Sequence, residues 1–98
     1  MTGTPIPIEW SRSAVRDLRR IRSRIKSGSS QGLGDSARLV VAAAEILADH
    51  PYIGRSGRVV GTRELVISTT PFIIVYLVRD DSVFIVRVLH HAQQWPPT

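Results

Sequence analysis

Phe72–Val78 (FIIVYLV) carries no polar group except the Tyr76 hydroxyl. An unbroken apolar run of this length, entered through Thr70-Pro71 and left through charged residues, reads as a strand buried on both faces. Such a strand belongs at the centre of a sheet. Arg79-Asp80-Asp81-Ser82 has the composition of a tight hairpin turn, and Val83–His90 supplies the returning strand. Whatever else the chain forms must cover both faces of this hairpin.

The remainder supplies the cover. Pro5–Trp10 alternates Ile6, Ile8 and Trp10 with Pro7 and Glu9, the period of a half-buried strand, and its prolines suit a sheet edge. Ser11 is a fitting N-cap for a helix ending near Lys26. Ala14, Leu18, Ile21 and Ile25 form its apolar stripe, and Arg12, Arg16, Arg19, Arg20, Arg22, Arg24 and Lys26 occupy much of the rest. Ser27–Gly34 (SGSSQGLG) reads as a polar loop. A second helix, capped by Asp35 or Ser36, runs to about Asp49 before Pro51. Its alanines (Ala37, Ala42, Ala43, Ala44, Ala48) permit close helix packing, and Leu39, Val40, Ile46 and Leu47 supply bulk. Arg58–Ile67 reads as a strand with Gly61 as a bulge. The expected fold is α+β: β-α-α-β-β-β, an antiparallel sheet with an αα-hairpin packed on one face. With 98 residues, 43% of them hydrophobic, the whole chain 1–98 is expected to be one small domain.

Charge narrows the function. Thirteen Lys+Arg face eight Asp+Glu, giving +5, and Lys26 is the single lysine. Arginine presents a planar fork matched to phosphate and carboxylate, so a polyanion or an acidic protein is the expected partner. The absence of cysteine removes disulfide and thiolate chemistry. No apolar stretch approaches the roughly 18 residues of a membrane span, and the start lacks the pattern of a signal peptide. The cytoplasm is the expected location.

Candidate chemistry is sparse. Arg87 interrupts the apolar row expected for Val83, Ile85 and Leu89. It reads as a phosphate contact or, in preference, as a structural pair with Glu64. Arg63 alternates with Glu64 and so points to the opposite face. Arg55 and Arg58, beside glycines, are expected to be exposed and are candidates for polyanion binding. Adjacent His90 and His91 should point to opposite faces, which argues against a shared metal. A metal-free nuclease would require Arg87, His91 and Arg63 to act together as charge stabilisers and acid/base. The terminal Trp95 is expected to cap the core edge or to make a contact. No phosphate-binding loop, nucleotide fingerprint or paired-carboxylate site is present, and no metal or cofactor is expected.

Three segments together, EWSRSAVRDLRRI, HPYIGRSGRVVGTRELVI and VYLVRDDSVFIVRVLHHAQQWP, resemble the RelE/ParE superfamily of bacterial toxins from type II toxin–antitoxin systems. The resemblance covers nearly the whole chain and implies a RelE/ParE-like fold and a co-encoded antitoxin. RelE-like members are ribosome-dependent mRNA endoribonucleases, whereas ParE-like members poison DNA gyrase. The nucleases usually carry an Arg where this chain has Ile73, and a Tyr or His in the tail where it has Gln93, Gln94, Trp95 and Pro96. They also use lysines that are missing here. The resemblance therefore implies a ParE-like toxin acting on gyrase. A RelE-like endoribonuclease acting at the ribosome on mRNA is the alternative, and a non-toxic nucleic-acid-binding module a third. Arg16, Arg19, Arg20, Arg55, Arg58 and Trp95 are the expected contacts for antitoxin or target.

Overall fold

The computed structural model describes residues 5–26 and 33–97. The elements run β1 (Ile8–Trp10), α1 (Arg12–Lys26), α2 (Leu33–Asp49), β2 (Arg55–Ser56), β3 (Arg63–Val66), β4 (Phe72–Val78) and β5 (Val83–His90). They build one sheet in the order β1-β5-β4-β3-β2. The fold is α+β, as expected, with the apolar strand β4 at its centre and Phe72–Tyr76 buried throughout.

The sheet is mixed rather than wholly antiparallel. β1 pairs with β5 in parallel, Ile8 opposite Val83 and Trp10 opposite Ile85, while the other neighbours are antiparallel. The two helices carry the chain across one face, so β1 and β5 can run the same way. β1 is shorter than the expected Pro5–Trp10, since Pro7 has no N–H to give a ladder. It lies at a sheet edge, where its prolines had placed it.

The expected strand Arg58–Ile67 is instead a turn followed by β3, and an added strand, β2, precedes it. Gly57 N–H donates to the Thr62 carbonyl at 2.8 Å and closes the turn. Gly61 adopts φ 87° at this turn, so it serves the reversal and not a bulge. A β-bulge does occur, but in β5: Val75 pairs with Arg87 and Tyr76 with Ile85, leaving Val86 without a partner on β4. The bulge resets the alternation. Val83, Ile85 and Val88 all face the helices, and Arg87 and Leu89 lie on the other side, against the simple period-2 expectation.

The core joins Ala14 and Ile21 of α1, Ala37, Val40, Ala43, Ala44 and Leu47 of α2, and Phe72, Ile74, Tyr76, Val83, Ile85 and Val88 of the sheet. Three of the five alanines are buried there, which lets α2 approach closely. Leu39 and Ile46, expected to add bulk, face solvent at 40% and 49% exposure. α2 begins at Leu33, so Ser36 lies buried within it and is not its cap. The loop expected between the helices lies, at 27–32, outside the described residues, as do the side chains of Ile25 and Lys26.

Candidate functional site

The free edge of β5 is finished by a helix. β1 ends at Trp10, and beyond it Ser11 N–H donates to the Ile85 carbonyl at 2.9 Å. The Ser11 hydroxyl donates to the Val86 carbonyl at 2.7 Å and also accepts the Ala14 N–H at 2.9 Å. Ser11 is thus the expected N-cap and a sheet partner at once. Six residues on, Asp17 Oδ2 accepts the Val88 N–H at 2.9 Å. A hydroxyl and a carboxylate replace the hydrogen bonds that a longer β1 would have made.

Asp17 also takes Arg87. The guanidinium donates through Nε at 2.7 Å and Nη2 at 2.9 Å, a two-point fork on a carboxylate that is 6% exposed. This bond holds Arg87 above its usual basicity. The expected pair of Arg87 with Glu64 does not form. The two share a row across Val75, but a strand separates them and each meets a nearer partner. Sequence reasoning passed over Asp17. Its signal was present: it is the sole acid of α1, and it falls between Ala14 and Leu18 on the apolar stripe. Trp95 packs beside the same group, with Arg87 5.7 Å from its ring centre. It is half-buried and its indole nitrogen is covered, consistent with a capping role.

Glu64 is the second buried carboxylate. Arg55 Nη2 donates to Oε1 at 3.2 Å, the Arg58 backbone N–H donates to Oε2 at 2.9 Å, and the Arg58 side chain lies 3.5 Å away. Arg55 and Arg58 are exposed as expected, yet both are anchored at one side, which ties the turn after β2 to β3. Arg63, on the opposite face, donates to the Gly54 carbonyl at 2.8 Å and the Tyr52 carbonyl at 3.2 Å. Its guanidinium also lies 4.9 Å from the Tyr52 ring centre. Gly54 N–H in turn donates to the Tyr76 hydroxyl at 2.9 Å. Burial raises the Tyr76 pKa, against smaller opposing effects from that bond and from Arg63. A side chain at Gly54 would bring Cβ within 2.6 Å of the Tyr76 oxygen.

Candidate catalytic groups are therefore dispersed. Arg63 pairs with Tyr76 on the helix side of the sheet, and Arg87 pairs with Val75 on the other. His91 is exposed, and its ring stacks on His90 with centres 4.7 Å apart, not on the opposite face as alternation suggests. The strand ends there: Ala92 N–H donates to His90 Nδ1 at 3.1 Å, folding the tail back. A cleft of about 220 Å³ opens beside this turn, lined by Asp17, Arg20, Ile21, Phe72, His90 and Gln93 among others. On α1, Arg12, Arg16, Arg19 and Arg22 are exposed.

The same organisation occurs in known proteins. Residues 8–95 match the ParE toxin of the type II toxin–antitoxin system parDE. The chain belongs to the ParE toxin family. This toxin is 37% identical over 89 residues to Y4kP of Sinorhizobium fredii, covering 91% of this chain and 92% of that one. It is 36% identical over 86 residues to Toxin RelE2 of Caulobacter vibrioides, covering 88% and 96%. Its fold matches a chain of the chromosomal ParDE system of Pseudomonas aeruginosa (TM-score 0.76, 22% identity, 87% and 95% covered). It also matches a chain of the RelBE2 toxin–antitoxin complex of Mycobacterium tuberculosis (TM-score 0.64, 25% identity, 89% and 99% covered).

Proposed function

We propose that this toxin arrests growth by binding DNA gyrase in the cytoplasm, without RNA chemistry of its own, until a co-encoded antitoxin covers it. One observation carries the reading: the three groups that a metal-free nuclease would need do not converge. Arg87 is held by Asp17, Arg63 by two backbone carbonyls, and His91 stands apart in the tail. A phosphoryl transition state needs preorganised cations around one point. The match to the ParE toxin supports the same reading. The relative named RelE2 supports the alternative, a ribosome-dependent cut in mRNA.

The solved RelBE2 complex pairs toxin with antitoxin, and this chain offers a suitable surface for such a partner. Around the β2–β3 hairpin, Arg55 and Arg58 stand near exposed Tyr52, Ile53, Val60 and Val66. Cations mixed with apolar side chains suit an acidic, amphipathic segment. Arg16, Arg19 and Arg20, on a helix that shows no exposed large apolar side chain among the described residues, are assigned to the target side.

Pulse labelling after induction of this chain alone tests the target. DNA synthesis is expected to stop before protein synthesis, and His91→Ala is expected to retain full toxicity. Early arrest of protein synthesis, abolished by His91→Ala, would overturn the gyrase reading and install the endoribonuclease.

A further inference from the structure

We propose that the outer face of α1 is a phosphate-contact surface for duplex DNA, with Arg12, Arg16, Arg19 and Arg22 as its contacts. The inference extends the gyrase reading, since gyrase holds duplex DNA, but it stands on this helix alone.

The arrangement works against folding. Arg12 and Arg16, and Arg16 and Arg20, are like charges four residues apart. Arg16 and Arg19, and Arg19 and Arg22, are three apart. Neighbours at these spacings repel. Arg12 lies in the first turn, where the helix dipole disfavours a cation. The helix's own acid does not answer the charge of Arg12, Arg16, Arg19 and Arg22: Asp17 faces inward to Arg87. Among the described residues, Arg12, Arg16, Arg19 and Arg22 form no ion pair. A cluster that burdens the fold and lacks an internal partner is one that an external anion completes.

Geometry selects the anion. At about 100° per residue, Arg12, Arg16 and Arg19 fall on one line along the exposed side, spanning about 10 Å, with Arg22 flanking it. Arg12, Arg16 and Arg19 line an open groove with Trp10 and Val15 against which their stems can lie. An isolated α-helix is about 10–12 Å across, and the major groove of B-DNA is about 12 Å wide. The corresponding groove of A-form RNA is too deep and narrow to admit side chains. An acidic protein would call for exposed apolar anchors beside the cations. Among the described residues, the exposed large apolar ones are Leu39, Ile46, Tyr52, Ile53, Val60 and Val66, none of them on α1. A face of guanidinium groups whose apolar neighbours, Trp10 and Val15, are half-buried matches a phosphate backbone.

The test is anisotropy titration of a labelled DNA duplex with the full chain, repeated as salt rises. Four phosphate contacts give a slope of about −3.6 in log K against log salt, or about 150-fold weakening between about 50 and 200 mM. Arg16→Ala/Arg19→Ala should lower the slope to about −1.8 and the weakening to about 12-fold. Arg16→Lys/Arg19→Lys should leave both unchanged. Single Arg12→Ala and Arg22→Ala variants should each remove about 0.9 from the slope. Polyglutamate, titrated in parallel, stands for an acidic protein. The proposal is overturned by absence of DNA binding at about 50 mM salt, by a slope indifferent to the alanine variants, or by tighter binding of polyglutamate than of duplex. Gyrase is absent from this assay, so failure here leaves the gyrase reading standing, and failure of that reading leaves the DNA contact standing.

Discussion

The arginines of the sheet region and those of α1 look alike in the sequence and behave differently in the fold. Arg55, Arg58, Arg63 and Arg87 are each fixed by a carboxylate or by backbone carbonyls, and they tie the tail, the β2–β3 turn and the segment between α2 and β2 to the sheet. Arg12, Arg16, Arg19 and Arg22 project from α1 into solvent. The difference follows from where the acids are. Glu64 and Asp17 are buried and each collects several donors, because a buried carboxylate must be satisfied from every side. The outer face of α1 has no buried acid to draw its cations in. Basic residues in a small toxin thus divide into fasteners and surface, and composition alone does not separate them.

Removing the fasteners gives the sharpest test of this division. Asp17→Ala should cost most, about 3–5 kcal/mol, since it strands a half-buried guanidinium and the Val88 N–H together. Urea unfolding reads the loss, and a midpoint near that of the unchanged chain would break the comparison. Glu64→Ala should cost less, about 1.5–3 kcal/mol, because Arg55 and Arg58 are 57% and 40% exposed and can return to water. Hydrogen exchange at the Arg58 amide should quicken in that variant, and a greater loss than for Asp17→Ala would reverse the ranking of the two carboxylates. Arg16→Ala should change stability by no more than about 0.5 kcal/mol, towards gain, as like-charge repulsion is relieved. A clear loss in its urea midpoint would move Arg16 into the fastener group.

Much of the fold was legible from local signals. The apolar run Phe72–Val78 marked the central strand, Ser11 the start of α1, and Arg79–Ser82 the hairpin, each through a pattern confined to a few residues. What escaped depended on distant partners. The parallel placement of β1 against β5 is set by the path of both helices. The bulge at Val86 depends on how β5 meets β4 and α1, and it alone reverses which side Arg87 occupies. The Asp17–Arg87 pair links positions 70 apart in sequence. Leu39 and Ile46 were expected inside because they are large and apolar, but Val40, Ala43, Ala44 and Leu47 already fill the face that α2 presents to the core.

The helix that finishes β5 has a further consequence. A bare strand edge is an open zipper, and a toxin made ahead of its partner would risk joining its own copies there. Ser11 and Asp17 act as the end-stop of that zipper. They occupy the teeth with side chains that belong to the same molecule, so the stretch of β5 beyond β1 is closed before any second chain arrives. The opposite margin differs: there β3 runs on past β2, and Leu65 and Val66 lie beyond the end of the β2 pairing, teeth of the zipper left to a second chain.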